Sequence, residues 1–99
     1  MKKALRVTMP DGSKWDVPVL FIAQDRAQHY AGEFSGNVEM SLSEDTLPLF
    51  EDDDYEIEDW AVNNMNWSDV AGQAKIVKEQ SAPDYQEGWL NGHKEIVDV

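Results

Sequence analysis

Residues 4–17, Ala4-Leu5-Arg6-Val7-Thr8-Met9-Pro10-Asp11-Gly12-Ser13-Lys14-Trp15-Asp16-Val17, decide the fold. Leu5, Val7 and Met9 fall on one side of an extended chain, and Ala4, Arg6 and Thr8 on the other. That period of two is the signature of a half-buried strand. Pro10-Asp11-Gly12-Ser13 has turn chemistry at every position, and the alternation resumes with Trp15 and Val17 sharing a face. The stretch therefore predicts a β-hairpin, which needs further elements to cover its apolar side.

Outward from the hairpin the period changes to that of a helix. Pro18 suits a first helical position, and Val19, Ile22, Ala23, Ala27, Tyr30, Ala31 and Phe34 then recur at spacings of three and four. Ser35-Gly36 is the expected stop. Val38, Leu42 and Leu49 fit one helical face while Val38-Met40-Leu42 also alternates like a strand, and the reading adopted is a short helix ending before Pro48. Leu47-Pro48-Leu49-Phe50 then reads as an apolar anchor that packs a bend against the core. Asp53 precedes Glu56 by three, a variant of the capping box that opens a helix over about 54–64, with Ile57, Trp60, Ala61 and Met65 as its stripe. Ser68 is a candidate N-cap for one further turn up to Gly72.

The last third returns to alternation over Ala74–Glu79, followed by a turn cluster at Ser81-Ala82-Pro83-Asp84. Asn91-Gly92 lies between two strand-like runs, Tyr85–Leu90 and His93–Val99, and predicts a type I′ hairpin with Leu90 opposite His93. The whole reads as a single α+β domain over residues 1–99. Its antiparallel sheet comes from the N-terminal hairpin and the C-terminal strands, with two or three helices packed on one face.

Composition limits what such a domain does. The 99 residues carry 20 acidic and 8 basic side chains, a net charge of −12, with no cysteine and four Trp. Disulfide staples, thiolate chemistry and Cys-based zinc sites are excluded. No apolar run is long enough to span a membrane, and Met1-Lys2-Lys3 lacks the apolar stretch of a signal peptide, so a cytoplasmic location is expected. Leu, Ile, Val and Phe total 22 of 99 residues, so stability is expected to be modest and to lean on the aromatic side chains.

The charge is concentrated. Between Ala27 and Ala74 there are 12 acids and no Lys or Arg, while the flanks sum to zero. Direct binding of nucleic acid or of an anionic membrane is disfavoured, because both need Lys and Arg facing phosphates. A basic protein surface is the electrostatically sensible partner, with Glu51, Asp52, Asp53, Asp54 and Glu56 as the contact. The plainer alternative is a solvated face that keeps a small protein soluble.

Catalytic and metal signatures are weak. An EF-hand begun at Asp52 would put Ile57 at the turn glycine and Asn63 at the bidentate Glu, and one begun at Asp54 would put Asp59 at the glycine. His29 and His93 are 64 positions apart and fit no zinc spacing. With 20 acids, carboxylate pairs at glycosidase spacing arise by chance. There is no GxSxG, GxGxxG or GxxxxGK[ST]. The expectation is a non-enzymatic protein without a cofactor or metal.

Trp60-Ala61-Val62-Asn63-Asn64-Met65-Asn66-Trp67 packs two Trp and three Asn into eight residues. One reading makes Trp60, Asn63, Asn64 and Trp67 a recognition patch. The other places the two Trp in the core and lets the Asn side chains end the helix.

Glu58-Asp59-Trp60-Ala61 and Asn63-Asn64-Met65-Asn66-Trp67-Ser68-Asp69-Val70, together with Val7-Thr8-Met9-Pro10-Asp11-Gly12-Ser13-Lys14-Trp15, resemble small proteins carried by tailed bacteriophages or prophages. That family has no assigned chemistry, so the resemblance implies a setting, a bacterial host cytoplasm, and no activity. Two functions are expected from these readings. The first is docking of the acidic segment on a basic host protein. The alternative is an assembly accessory that self-associates through a sheet edge or the Trp60–Trp67 patch.

Overall fold

The computed structural model describes residues 2–10, 12–78 and 85–98. The N-terminal hairpin forms as read. β1 (Lys3–Thr8) pairs antiparallel with β2 (Lys14–Pro18), placing Leu5 opposite Val17 and Val7 opposite Trp15. Gly12 takes φ +89° in the turn, a conformation that favours glycine. Two C-terminal strands complete the sheet, β3 (Lys75–Lys78) against β2 and β4 (Lys94–Asp98) against β1, in the order β3-β2-β1-β4.

One face of this sheet is the floor of the core. Leu5, Val7 and Val17 are fully buried, with Trp15 and Ile96 packed beside them. The helices lay their apolar stripes on this floor. α1 (Val19–Tyr30) buries Val19, Ile22, Ala23 and Ala27, α3 (Leu47–Asp52) buries Phe50, and α4 (Asp54–Asn64) buries Ile57 and Ala61. Each large apolar side chain so placed contributes about 1.5–3 kcal/mol. α5 (Trp67–Val70) adds Trp67, whose ring meets Trp15 edge-on at 5.6 Å and lies 6.2 Å from Trp89. The domain is α+β, an antiparallel sheet with helices packed against it, as the patterning indicated.

Several local readings need correction. Pro18 is not the first helical residue: it closes β2 and precedes α1 at ψ 126°, because extended backbone is what a strand requires there. α1 itself ends at Tyr30, and a single 3₁₀ turn carries the chain to Phe34 before Ser35 and Gly36 stop it at positive φ. The helix from Val38 does not end before Pro48. α2 (Val38–Ser41) runs through a π-helical segment at Leu42–Thr46 into α3, so Leu47–Phe50 is helical rather than a bend. The Leu47 N–H donates to Leu42 O, five residues back. Pro48 follows directly on that wider turn, in the first turn of α3. The cap of α5 is Asn66, not Ser68: the Asn66 N–H donates to Asp69 Oδ2 at 2.8 Å, and the helix starts at Trp67.

The largest correction concerns Tyr85–Gly92. This segment is not a strand, and Asn91-Gly92 is not a hairpin turn. It forms α6 (Tyr85–Asn91), so among the described residues the sheet has four strands rather than five. Two contacts explain the helix. Trp89 is fully buried with its Nε1–H donated to Met65 O at 2.9 Å, which ties α6 to the end of α4. Gly88 packs so closely on Met9 that a Cβ would overlap the Met9 sulfur. At Gly92 the requirement is space and not positive φ. A Cβ there would overlap the Thr8 and Gly88 carbonyl oxygens, and the Gly92 N–H closes the last turn on Gly88 O at 2.8 Å. The turn expected at Ser81–Asp84 lies outside the described residues.

Candidate functional site

α4 carries most of the residues singled out above, and it divides the surface into two grooves. Its start is fixed by Asp53, whose Oδ1 accepts from the Tyr55 N–H at 3.0 Å. Asp54 reaches Lys3 of β1 at 3.6 Å, anchoring the acidic end of the helix over the sheet. Glu51, Asp52, Asp53 and Asp54 are exposed and Glu56 is half-buried. Among these carboxylates stands Tyr55, 66 % exposed. A phenol held in water has no place in the core, and it follows from the helical period: Ile57 and Ala61 face inward, so Tyr55 cannot.

Tyr55 opens a groove of about 180 Å³ that continues over Glu58, Asp59, Val62 and Asn63 to Leu90 of α6. Leu90 is 42 % exposed, so the groove has apolar ends and an acidic wall. Asn63 shapes that wall, donating from Nδ2 to the Asp59 carbonyl and to Asp59 Oδ1, both at 2.9 Å. Behind it, Lys94 of β4 donates to Gly92 O at 3.0 Å. Burial pushes the Lys94 ammonium below its ordinary pKa, and the negative charge of Glu58 pulls it part of the way back.

On the other side of α4 a polar groove of about 390 Å³ is lined by Asp25, Gln28, His29, Trp60 and Asn64. Trp60 is half-buried there, and its Nε1–H donates to Asp25 Oδ2 at 3.0 Å. Asn64 Nδ2 donates to Trp60 O at 3.2 Å, and His29 meets the Trp60 ring edge-on at 5.3 Å. Arg26 lies over the Tyr30 ring at 4.7 Å and donates from Nη1 to Asp45 Oδ2 at 3.0 Å and Thr46 Oγ1 at 2.8 Å. It is the one basic residue between Trp15 and Ala74, and its charge is already engaged.

The residues named from the sequence are thus partly assembled and partly separated. Glu51, Asp52, Asp53, Asp54 and Glu56 share the end of α3 and the start of α4. Asn63 and Asn64 line different grooves. Trp60 faces α1, whereas Trp67 is only 9 % exposed in a cluster with Trp15 and Trp89. Tyr55 and Leu90 escaped the sequence reading. Tyr55 was legible as the apolar residue off the Ile57–Ala61 stripe, but Leu90 was hidden by the strand assignment of its segment.

Among the described residues no three His, Asp or Glu side chains converge as a ligand set for a metal ion, and no helix is long and apolar enough to cross a membrane. Compared with family models, with curated proteins and with solved structures, the chain has no match in any of the three.

Proposed function

We propose that the chain is a non-enzymatic binding protein whose acidic helical face docks on a basic surface of another protein. The carrying observation is Tyr55, 66 % exposed among Asp52, Asp53, Asp54, Glu56 and Asp59, at the mouth of the groove that ends at Leu90. Carboxylates alone bring a cationic partner near, but their pairing in water is weak and screened by salt. An aromatic side chain at the centre of such a patch supplies the desolvated contact that holds a partner once it has arrived. Lys and Arg suit this groove because their aliphatic stems pack on Tyr55, Val62 and Leu90 while their charged heads reach Glu58 and Asp59. In the phage setting suggested by the sequence resemblance, the partner is a host protein with a basic, nucleic-acid-binding face.

The test is capture from bacterial lysate on the immobilised chain, with elution by rising salt, run in parallel with a Tyr55→Ala variant and a Glu51→Lys, Asp52→Lys, Glu56→Lys variant. The expected result is one protein retained by the original chain, released at moderate salt, and lost from both variants. A partner retained equally by the charge-reversed chain would contradict the proposal. The competing self-association reading now rests on the sheet edge, since Trp67 is packed inside.

A further inference from the structure

β4 is an edge strand, and the direction of its backbone groups is fixed. The Thr8 N–H donates to His93 O at 2.8 Å, and the register continues with Arg6 opposite Glu95 and Ala4 opposite Val97. In an antiparallel ladder the residues of one strand turn both backbone groups alternately toward each neighbour. His93, Glu95 and Val97 are therefore bonded to β1, and Lys94, Ile96 and Asp98 direct their N–H and C=O groups out of the sheet. The pairing with β1 runs unbroken over five residues, and the strand contains neither Pro nor Gly. The opposite edge differs, since β3 meets β2 through an irregularity between Lys14 and Trp15. β4 is thus the straighter edge, and the opposite charges it carries at Lys94 and Asp98, which deter most strands, are matched by those of a second β4.

We infer that β4 pairs antiparallel with β4 of a second copy of this chain, about a twofold axis through Ile96. In that register the three outward-facing residues meet outward-facing residues. Ile96 lies opposite Ile96 of the second copy, and Lys94 opposite Asp98 of the second copy, in both directions. A shift of one residue sets outward groups against inward ones, and a shift of two places Lys94 opposite Ile96, with both ion pairs lost. The side chains of Lys94 and Ile96 lie on the core side of the sheet, where Ile96 already packs against the buried cluster. Pairing joins the two cores into one continuous layer under an eight-stranded sheet. It also gives the half-buried Lys94 ammonium a carboxylate beyond Glu58.

Each copy carries −12, and Glu58 of α4 already acts on Lys94 at this edge. Self-pairing therefore works against repulsion and strengthens as salt rises, the reverse of docking on a basic partner.

The test is amide hydrogen exchange by NMR on the full chain at several concentrations and at low and high salt, with sedimentation equilibrium on the same samples. The expected result is a dimer favoured by concentration and by salt. In it the amides of Lys94, Ile96 and Asp98 gain about tenfold or more protection, while those of Glu95 and Val97 are protected throughout. Asp98→Lys weakens the dimer about tenfold, as two cross-strand pairs become repulsive. Protected Glu95 and Val97 amides certify that the variant still folds. Mixing Asp98→Lys with Lys94→Asp chains restores pairing as a heterodimer. A chain that stays monomeric at high concentration and high salt overturns the inference. So does a dimer whose Lys94, Ile96 and Asp98 amides exchange as fast as in the dilute chain.

Discussion

The sheet and the helical layer of this domain carry charge in opposite ways. Six basic residues, Lys3, Arg6, Lys14, Lys75, Lys78 and Lys94, lie on strands, together with the acids Asp16, Glu95 and Asp98. On the face away from the core the registers align Lys75, Asp16, Arg6 and Glu95 in one row across all four strands, alternating in sign. At its centre Arg6 binds Asp16 through two bonds, Nε–Oδ1 at 2.8 Å and Nη2–Oδ2 at 3.0 Å. That hydrogen-bonded carboxylate, with Glu95 on the other side, raises the Arg6 pKa. The helical layer has no such compensation. Between Val19 and Val70 there are 13 acids and one base, Arg26, which is held by Asp45. Charge in that row is balanced within the sheet and serves structure. Charge on the helices is left over, repels itself, and is available to a partner.

This contrast breaks first where the two layers are joined. Trp89→Ala opens a cavity beneath α6 and leaves Met65 O without its donor, so a loss of about 3–5 kcal/mol is expected in denaturant unfolding. In a domain whose total stability is of order 5–15 kcal/mol, that puts the variant near the edge of folding. A smaller loss is expected from Arg6→Ala, which leaves Asp16 facing Lys75 alone. Its melting temperature should fall further than that of Lys75→Ala at the end of the row, and a reversed order would mean the row does not act as a unit. Asp53→Ala removes the cap of α4 and should cost about 1 kcal/mol, with Asp53→Asn nearly neutral. By contrast Asp52→Lys, on the uncompensated face, should stay within about 0.5 kcal/mol and lean toward stabilisation at low salt.

The smallest expected effect sharpens the contrast at its one crossing point, Lys94. Its pKa in the folded chain is lowered by burial, so the unfolded chain holds that proton more tightly. Below the folded pKa the charged ammonium costs stability. As pH rises from the lowered folded pKa to the ordinary lysine value, that cost is relieved. Stability of Lys94→Met relative to the original chain should therefore be highest near neutrality and shrink toward alkaline pH, as followed by chemical denaturation.

What was legible in the sequence was whatever depended on local period and local caps. The hairpin at 4–17 followed from alternation, and α4 over 54–64 followed from Asp53 and its stripe. The failures have a common cause in contacts between distant residues. Nothing local distinguishes Tyr85–Leu90 from a strand. The helix there depends on Trp89 reaching Met65 O and on Gly88 lying against Met9, both far away in the chain. Asn91-Gly92 had the composition of a hairpin turn but serves as a tight helix end under Thr8. The same limit applied to the candidate site. The acids of 51–56 were visible as a run, but the groove between Tyr55 and Leu90 exists only once α6 packs beside α4.

The most direct test of the docking account is the affinity of the captured partner for the original chain and for the Glu51→Lys, Asp52→Lys, Glu56→Lys chain, measured calorimetrically at increasing salt. This variant leaves both the Asp53 cap and the Asp54–Lys3 contact in place. The account predicts that binding to the original chain weakens steeply with salt and that the charge-reversed chain does not bind at any salt. Equal affinity for the two chains, unchanged by salt, would contradict it.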